Sequence, residues 1–471
     1  MGRDEHFVKP TQFPGGYDPA EISALILKKL VQDANSAADT EIKDVVITCP
    51  AYFGTKERLQ TKQAGQIAGL NVLDIINEPV AAAISYGIRL DARKTILVYD
   101  LGGGTFDVTV IRVDGGTIKV IATGGDSHLG GLDWDTIIAE YMLDTYNEEY
   151  GTDYTLDSDP GLRNTLLLEA EQKKKTLSAM SKVFANVTYR GKSSRVEITR
   201  DKFDELTRHK LDETIDKTNE LLEIAQKKGV VNIDEVLLVG GSSRMPQIKA
   251  RVDRELGVNA QLNDPDECVA KGAAIYAMNE AYKNSIQAYE QDTTGNVERP
   301  AVIASATRTR VVNVTSKTYG LEVKGEMVSN LIFANTALPV KATDIFITAH
   351  DNQPNASLKI YESDVTDAEK DARIPISHAS LLKDEGKGER FLKFSRNNYP
   401  MGTELVVTFE INEAGILSVH AEVKKYPADK VYFTLKIDGV KSPEELKDSI
   451  AEIGRLQVNY DASSDSASDD D

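Results

Sequence analysis

Apolar residues along this chain recur in two rhythms, which exchange places near residue 285. Over the first two-thirds, short β-rich runs alternate with long stretches of helical period. Asp18-Pro19-Ala20-Glu21 combines a helix N-cap, a proline at the first helical position and a capping-box-like glutamate. Ile22, Leu25, Ile26 and Leu30 then fall on one helical face. Residues 45–49 read as a buried strand ended by Pro50. A second helix carries residues 59–70, and another begins near Pro79. Strands follow at 95–100, 108–113 and, after an Asp-Gly-Gly turn, 117–122. From Asp135 to about Gln226 the pattern is mainly helical, with a small β piece at 183–198. Residues 236–239 form one more buried strand.

Beyond residue 285 the helical period gives way to linker composition at 291–300. Short alternating strands then appear at 344–350, 358–361, 404–411, 416–423 and 430–435, the pattern of a β-sandwich. Residues 441–456 make at most one short helix. The expected organisation is an α/β module at 1–285, a linker at 286–310 and an all-β module at 311–437. A short helix at 438–460 and an acidic tail at 461–471 complete it.

Composition narrows the classes. The 471 residues suit two to four domains. With 55 basic and 74 acidic side chains the net charge is −19, which repels phosphate backbones and anionic lipid. Bulk nucleic-acid or membrane binding is not expected, while a nucleotide needs only a local pocket. The tail cannot bury apolar surface and is expected to be disordered. No run approaches a spanning helix, and the start at Met1 lacks an apolar signal region. Cys49 and Cys268 show no metal spacing, so a reduced, cytoplasmic compartment is the simple reading.

The strongest chemical signal is Asp100-Leu-Gly-Gly-Gly-Thr-Phe-Asp107. An acidic residue at a strand end, followed by three glycines turning into a second strand, lets backbone N–H groups approach a phosphate. The two carboxylates are hard oxygen donors suited to Mg²⁺ or its waters. A second glycine loop spans 124–131, and a third, Gly240-Gly241-Ser242-Ser243-Arg244, lies between a strand and the next helix. There is no Walker-type phosphate loop. Three glycine loops, each after a strand, fit a nucleotide held between two lobes. Glu78, at a strand-to-helix junction, pairs with Asp100 for phosphoryl transfer if the two lie close. Glu171, Lys174, Lys175 and Ser178 share one helical face, which by spacing alone suits an ordinary salt-bridged surface.

Together these blocks resemble the DnaK-type heat-shock chaperones, the seventy-kilodalton heat-shock protein family. The matching strings include Val-Ile-Thr-Cys-Pro-Ala-Tyr-Phe (46–53), Ile-Ile-Asn-Glu-Pro-Val-Ala-Ala-Ala (75–83) and Asp-Leu-Gly-Gly-Gly-Thr-Phe-Asp-Val (100–108). His-Leu-Gly-Gly-Leu-Asp-Trp-Asp (128–135), Leu-Val-Gly-Gly-Ser-Ser-Arg-Met-Pro (238–246) and Asn-Asp-Pro-Asp-Glu-Cys-Val-Ala (263–270) extend the match. The resemblance implies an actin-like (ribonuclease H-like) ATPase module, incomplete at its N-terminus, followed by a β-sandwich substrate-binding domain.

It also implies roles for individual residues. Gly102, Gly103, Gly104 and Thr105 contact the β- and γ-phosphates of ATP or ADP, with Gly125 in the second loop. Asp100 and Asp107 act on Mg²⁺, and Glu78 orients water or metal beside them. Glu171, Lys174, Lys175 and Ser178 line one side of the adenosine slot; Gly240, Gly241, Ser242, Arg244 and Asp266 line the other. Pro50, Tyr52 and Arg58 relay nucleotide state to the sandwich. Leu321, Phe346, Ala349 and Leu358 contact an extended apolar peptide, the register between Val323 and Met327 being open by one residue.

The implied activity is nucleotide-regulated binding of unfolded polypeptide, assisted by J-domain and nucleotide-exchange co-chaperones. The family's first phosphate loop, the lysine that contacts the transferred phosphate, its leucine-rich linker and its helical lid have no counterparts in the chain. Weakened nucleotide binding is therefore expected. The alternative reading is a non-hydrolysing interaction or scaffold protein, or a fragment of a longer chaperone.

Overall fold

The computed structural model describes residues 16–86, 93–262, 264–292, 310–366, 371–382, 390–395, 399–413, 415–435 and 440–456. The expected acidic tail and most of the expected linker lie outside these residues.

The α/β module opens with α1 (Pro19–Ala38), β1 (Asp44–Cys49), α2 (Thr55–Ile67), β2 (Asn71–Asn77) and α3 (Glu78–Ser85). It continues with β3 (Lys94–Leu101), β4 (Phe106–Asp114), β5 (Thr117–Asp126) and α4 (Gly131–Tyr150). Then come α5 (Pro160–Ala179), the hairpin β6 (Lys182–Tyr189) and β7 (Lys192–Thr199), and α6 (Arg200–Lys227). Last are β8 (Glu235–Val239), α7 (Pro246–Leu256), α8 (Cys268–Gln291) and β9 (Arg310–Val312).

The main sheet runs β8-β3-β4-β5-β9. Period-two alternation sends β3 into two cores, because helices cover both faces of the sheet. Leu97, Tyr99 and Leu101 pack with Trp134, Ile138 and Met142 of α4. Ile96 and Val98 pack instead with Val80, Ala82 and Ala83 of α3 and Cys268 of α8. Helices α3 and α8 touch backbone to backbone: a Cβ added at Gly272 would stand 1.7 Å from the Ala81 carbonyl oxygen. Gly272→Ala is accordingly expected to cost about 3 kcal/mol or more, since neither helix can yield without opening the core. Urea unfolding of the variant checks this; a loss below about 1 kcal/mol contradicts it.

The sandwich comprises β10 (Thr318–Val323), β11 (Met327–Ile332), β12 (Val340–Ile347), β13 (Asn355–Leu358), β14 (Ile360–Ser363) and β15 (Arg373–Pro375). It is completed by β16 (Ser380–Leu381), β17 (Arg390–Lys393), β18 (Glu404–Ile411), β19 (Leu417–Val423) and β20 (Tyr426–Thr434). One sheet runs β15-β11-β10-β14-β16, a second β12-β18-β19-β20, and β13 pairs with β17. Inward residues such as Leu417, Val419, Ala421 and Val423 alternate with outward ones and form one apolar core with Tyr319, Leu321 and Phe409.

Several local expectations change. Helix α8 continues to Gln291, six residues beyond the expected module boundary, because Ala, Tyr, Glu and Gln sustain a helix well. The strand at 310–312 completes the α/β sheet beside β5. The run at 358–361 divides at Lys359 into β13 and β14, which belong to different sheets. On α1 the buried residues are Ala20, Glu21 and Ala24, and Ile22 and Leu25 of the expected face pack against the same cluster, whereas Ile26 and Leu30 are 57% and 58% exposed. Small side chains allow α1 to approach α2 closely, which the large ones on the neighbouring face would prevent.

The last helix, α9 (Pro443–Arg455), lies against α1 and α2. Lys441 pairs with Asp18 at 2.6 Å and Glu21 at 3.1 Å, and Ser449 donates to Glu21 at 2.7 Å. Gln63 exchanges two hydrogen bonds with the Lys441 backbone. Lys28 caps the far end by donating to the carbonyls of Ile453, Gly454 and Leu456. Ile453 is buried among Tyr17, Ala24 and Ile67.

Candidate functional site

Register in the main sheet assembles the site. Asp100 on β3 lies opposite Asp107 on β4, Val239 on β8 pairs with Asp100, and Gly125 on β5 pairs with Asp107. Strands β3, β5 and β8 run in the same direction, so the loops that follow them emerge at one end of the sheet. That end therefore holds all three glycine loops. Gly240 is the point of closest approach, with φ +81°, and its added Cβ would stand 2.4 Å from the Leu101 oxygen and 2.7 Å from Asp100 Oδ1. Only glycine allows the third loop to pass so near the first.

Glu78, the first residue of α3, faces the same pair of aspartates. Burial pushes its carboxyl up to about 7, with Asp100 adding to the effect. Asp100 is pushed up to about 6 by burial. Asp107 rises furthest, to about 8, through burial and then the charges of Asp100 and Glu78. Asp107 is 3% exposed, and its Oδ1 is buried without a hydrogen-bond partner. Among the described residues no three carboxylate, imidazole or thiol groups converge as a direct metal cage.

The hairpin loop between β3 and β4 closes with Gly102 N–H donating to the Thr105 carbonyl at 3.0 Å. The first turn of α4 rests on this loop: Gly131 and Leu132 N–H donate to the Gly102 and Gly103 carbonyls at 3.0 and 2.8 Å. The space beside Gly103 and Gly104 is open. Lys174 is brought into the cluster from α5, but as a buried ion. It pairs with Asp135 at 2.8 Å and donates to the Gly131 carbonyl at 2.9 Å, with Ser242 nearby. Nothing in the local spacing marks Asp135 as its partner, because the two lie 39 residues apart.

The rest of the expected slot is more exposed. Glu171 pairs with Lys175 at 2.8 Å along the helix, which lowers the Glu171 carboxyl. Ser178 lies one turn further and donates to the Lys174 carbonyl at 3.4 Å. On the facing wall Arg244 Nε donates to Asp266 at 3.0 Å, and Asp266 lies against Gly241. The ammonium of Lys175 is raised chiefly by its hydrogen bond and charge pairing with Glu171.

Arg58 connects this site to the sandwich. Its guanidinium donates to the Phe53 carbonyl at 3.2 Å and to Asn77, the residue before Glu78. Tyr52 is pushed up to about 12 by burial, then by Asp107 and Glu78, and Pro50 ends β1 beside it. The sequence reading missed the contacts that cross to the other module. Thr55 donates to the Gly415 carbonyl at 2.6 Å and lies 3.3 Å from the Tyr319 hydroxyl. Ser316 donates to the Phe53 carbonyl at 2.9 Å, and Leu59 packs against the sandwich core. A second junction joins Asn335 to Thr123 N–H at 2.8 Å and to the Lys228 ammonium.

In the sandwich, Leu321 and Leu358 are buried in one apolar cluster and Phe346 packs against it. Ala349 lies just beyond β12, its N–H donating to Gln353 at 3.0 Å. Val323 pairs directly with Met327 across the turn between β10 and β11.

This pairing of a doubly covered α/β sheet with a β-sandwich has a clear counterpart among known proteins. The Hsp70 protein family matches residues 3–467, and the chain belongs to that family, with its actin-like α/β module and β-sandwich. Similar relatives are the chaperone proteins DnaK of two strains of Halobacterium salinarum. Each is 36% identical over 414 residues, covering 86% of this chain and 60% of the relative. The chain thus spans about 60% of the length of the curated relatives it matches.

Proposed function

We propose that the chain is an ATP-dependent chaperone that binds extended apolar segments of unfolded polypeptide. The observation that carries this reading is the gathering of three glycine loops at one end of the sheet, with Asp107 buried and Asp100 and Glu78 half-buried beside them, joined through Arg58 and Thr55 to a β-sandwich. The residues fit a nucleotide with Mg²⁺. Asp107 Oδ1 is a buried acceptor in want of a donor or cation, and the raised carboxyls release protons when a positive charge arrives. Hard carboxylates suit a hydrated Mg²⁺, which keeps several waters and binds through them and through phosphate oxygens.

In this reading, Asp100 and Asp107 hold the ion's waters and Glu78 orients the attacking water. Gly102, Gly103, Gly104, Thr105 and Gly125 surround the phosphates. Glu171, Lys175, Ser178, Gly240, Gly241, Ser242, Arg244 and Asp266 surround the adenosine, while Lys174 holds α4 in place beneath it. Leu321, Phe346, Ala349 and Leu358 supply apolar contacts to the client, and Pro50, Tyr52 and Arg58 couple the modules. J-domain and nucleotide-exchange proteins are the partners that this cycle calls for. Placement in the cytoplasm fits Cys49 and Cys268, both free thiols. No described helix is long and apolar enough to cross a membrane.

A fluorescent extended apolar peptide tests the reading. ATP with Mg²⁺ is expected to speed peptide release at least tenfold, and Asp100→Ala to abolish the effect while the peptide still binds. Peptide binding that ignores nucleotide, with phosphate release at background, would establish the scaffold reading instead.

A further inference from the structure

At their second junction the two modules meet on a lysine. Lys228, the residue after α6, extends its ammonium to two backbone carbonyls. One is Ile121 on β5, at 3.1 Å, and the other is Asn335, in the connection between β11 and β12 of the sandwich. Asn335 is 4% exposed and is fixed by two further bonds. Its side-chain oxygen accepts the Thr123 N–H of β5 at 2.8 Å, and its own N–H donates to the Thr315 carbonyl at 2.7 Å. An ammonium has three N–H donors, so a single side chain serves carbonyls of both modules at once. Lys228 is nevertheless exposed as a residue. Among the described residues no carboxylate pairs with it, and the charge that acts on it is Lys119 of β5, which has the same sign.

We propose that Lys228 is an acylation site, and that an acyl group placed there opens this junction between the modules. The co-reactant is an acyl phosphate. The amine lone pair attacks its carbonyl carbon, the carbon–oxygen bond to phosphate breaks, and hydrogen phosphate leaves with the proton that the nitrogen gives up. The product is a neutral amide with one N–H, which cannot serve two carbonyls. Either Ile121 or Asn335 then loses its donor, and the added acyl carbons stand where the other N–H groups were. The surroundings also favour reaction at this lysine over others. Lysine is a nucleophile only as the neutral amine, and desolvation or a cationic neighbour is what frees it of its proton. Both act here: burial, then Lys119, bring the Lys228 ammonium down from 10.5 to about 8. The gain in neutral amine near pH 7.5 outweighs the accompanying loss of basicity.

The test treats the full chain with acetyl phosphate at pH 7.5, to low conversion, and follows each lysine by peptide mass spectrometry. Lys228 is expected to react about tenfold faster than Lys62 and Lys425, which are also exposed. After longer treatment, hydrogen exchange at the Thr123 amide reports the junction, because that N–H is donated across it. Acetylation is expected to speed this exchange by about tenfold or more, while the Val110 amide, inside the sheet, stays protected. Lys228→Gln, which carries no charge, should show the fast exchange without any reagent. Lys228→Arg keeps a charge and its donors but takes no acyl group, so its exchange should stay slow with and without reagent. Reaction at Lys228 no faster than at Lys62 and Lys425 overturns the site. Thr123 exchange that acetylation leaves unchanged, that stays slow in Lys228→Gln, or that quickens equally in treated Lys228→Arg overturns the opening.

Discussion

Replacing Lys174 by methionine is expected to cost about 3–5 kcal/mol of stability, although the change keeps the length and apolar stem of the side chain. Lys174 and Asp135 have side chains only 9% and 8% exposed, with 2.8 Å between their charged atoms. Asp135 is already under strain in this environment, its Oδ1 being buried without a partner. Burial raises its carboxyl, and Lys174 is the main group opposing that rise. Without the ammonium, Asp135 must either stay ionised in an apolar setting or take up a proton. Either outcome lowers stability, and the loss should be larger at pH 8 than at pH 5, where the proton is cheaper to acquire. The Gly131 carbonyl would lose its donor as well, loosening the first turn of α4 where it rests on the glycine hairpin. Urea unfolding at the two pH values checks this. Adding Asp135→Leu to Lys174→Met should recover most of the loss, because an apolar pair leaves no stranded charge. Equal stability of the single and double variants would rule out a buried ion pair as the cause.

The same pair shows where sequence reasoning reached its limit. Asp100, the three glycines and Asp107 could be read as a site because strand, turn and strand are consecutive, so register follows from the turn itself. The other two glycine loops were legible for the same reason: each directly follows a run of buried β-branched or leucine residues. Lys174 was legible only as a member of a polar helical face, since its partner Asp135 comes from a different helix. On that face Glu171 and Lys175 do form the ordinary surface pair, while Lys174, just before Lys175, is buried against Asp135.

Longer separations left still less trace. Helix α9 meets α1 more than four hundred residues away in the chain, through Ser449 to Glu21 and Lys28 to Ile453. Its own pattern announces an amphipathic helix but cannot say what covers the apolar stripe. The exposure of Ile26 and Leu30, half of the apolar face read on α1, has the same origin. Hydrophobicity favours Ile26 and Leu30 as the packed side, yet close approach to α2 is governed by size, and Ala20 and Ala24 are the residues that permit it. The junction residues Thr55, Gly415 and Tyr319 are unremarkable in isolation. They acquire meaning only once the sandwich is placed beside α2.

Asp107→Asn is expected to stabilise the nucleotide-free protein at pH 8 by on the order of 2–4 kcal/mol, and, in the ATP-dependent cycle proposed above, to reduce turnover by about a hundredfold or more. The two effects have one cause. Glu78, Asp100 and Asp107 have folded-state values of about 7, 6 and 8, each above its ordinary value of 4.5 or 3.8. The folded protein therefore holds protons that the unfolded chain has given up. Their contribution to stability is full below about pH 4 and is lost as pH rises through 6 to 8. Asp107 carries the largest of these shifts, and an amide at its place cannot repel Asp100 or Glu78. The gain should shrink to near zero at pH 5, where Asp107 is already protonated in the folded state. A buried amide without partners offsets part of the benefit at every pH, which keeps the figure below the full value of the shift. The carboxylate that destabilises the empty site is also the one that a hydrated Mg²⁺ would neutralise, so the variant trades activity for stability. Urea unfolding in EDTA at pH 5 and pH 8, alongside steady-state phosphate release at pH 8, measures both effects on one preparation. If the variant is no more stable than the parent at pH 8, burial and its charged neighbours do not hold the Asp107 carboxyl above its ordinary value in the folded protein. Turnover that survives the substitution removes Asp107 from the reaction.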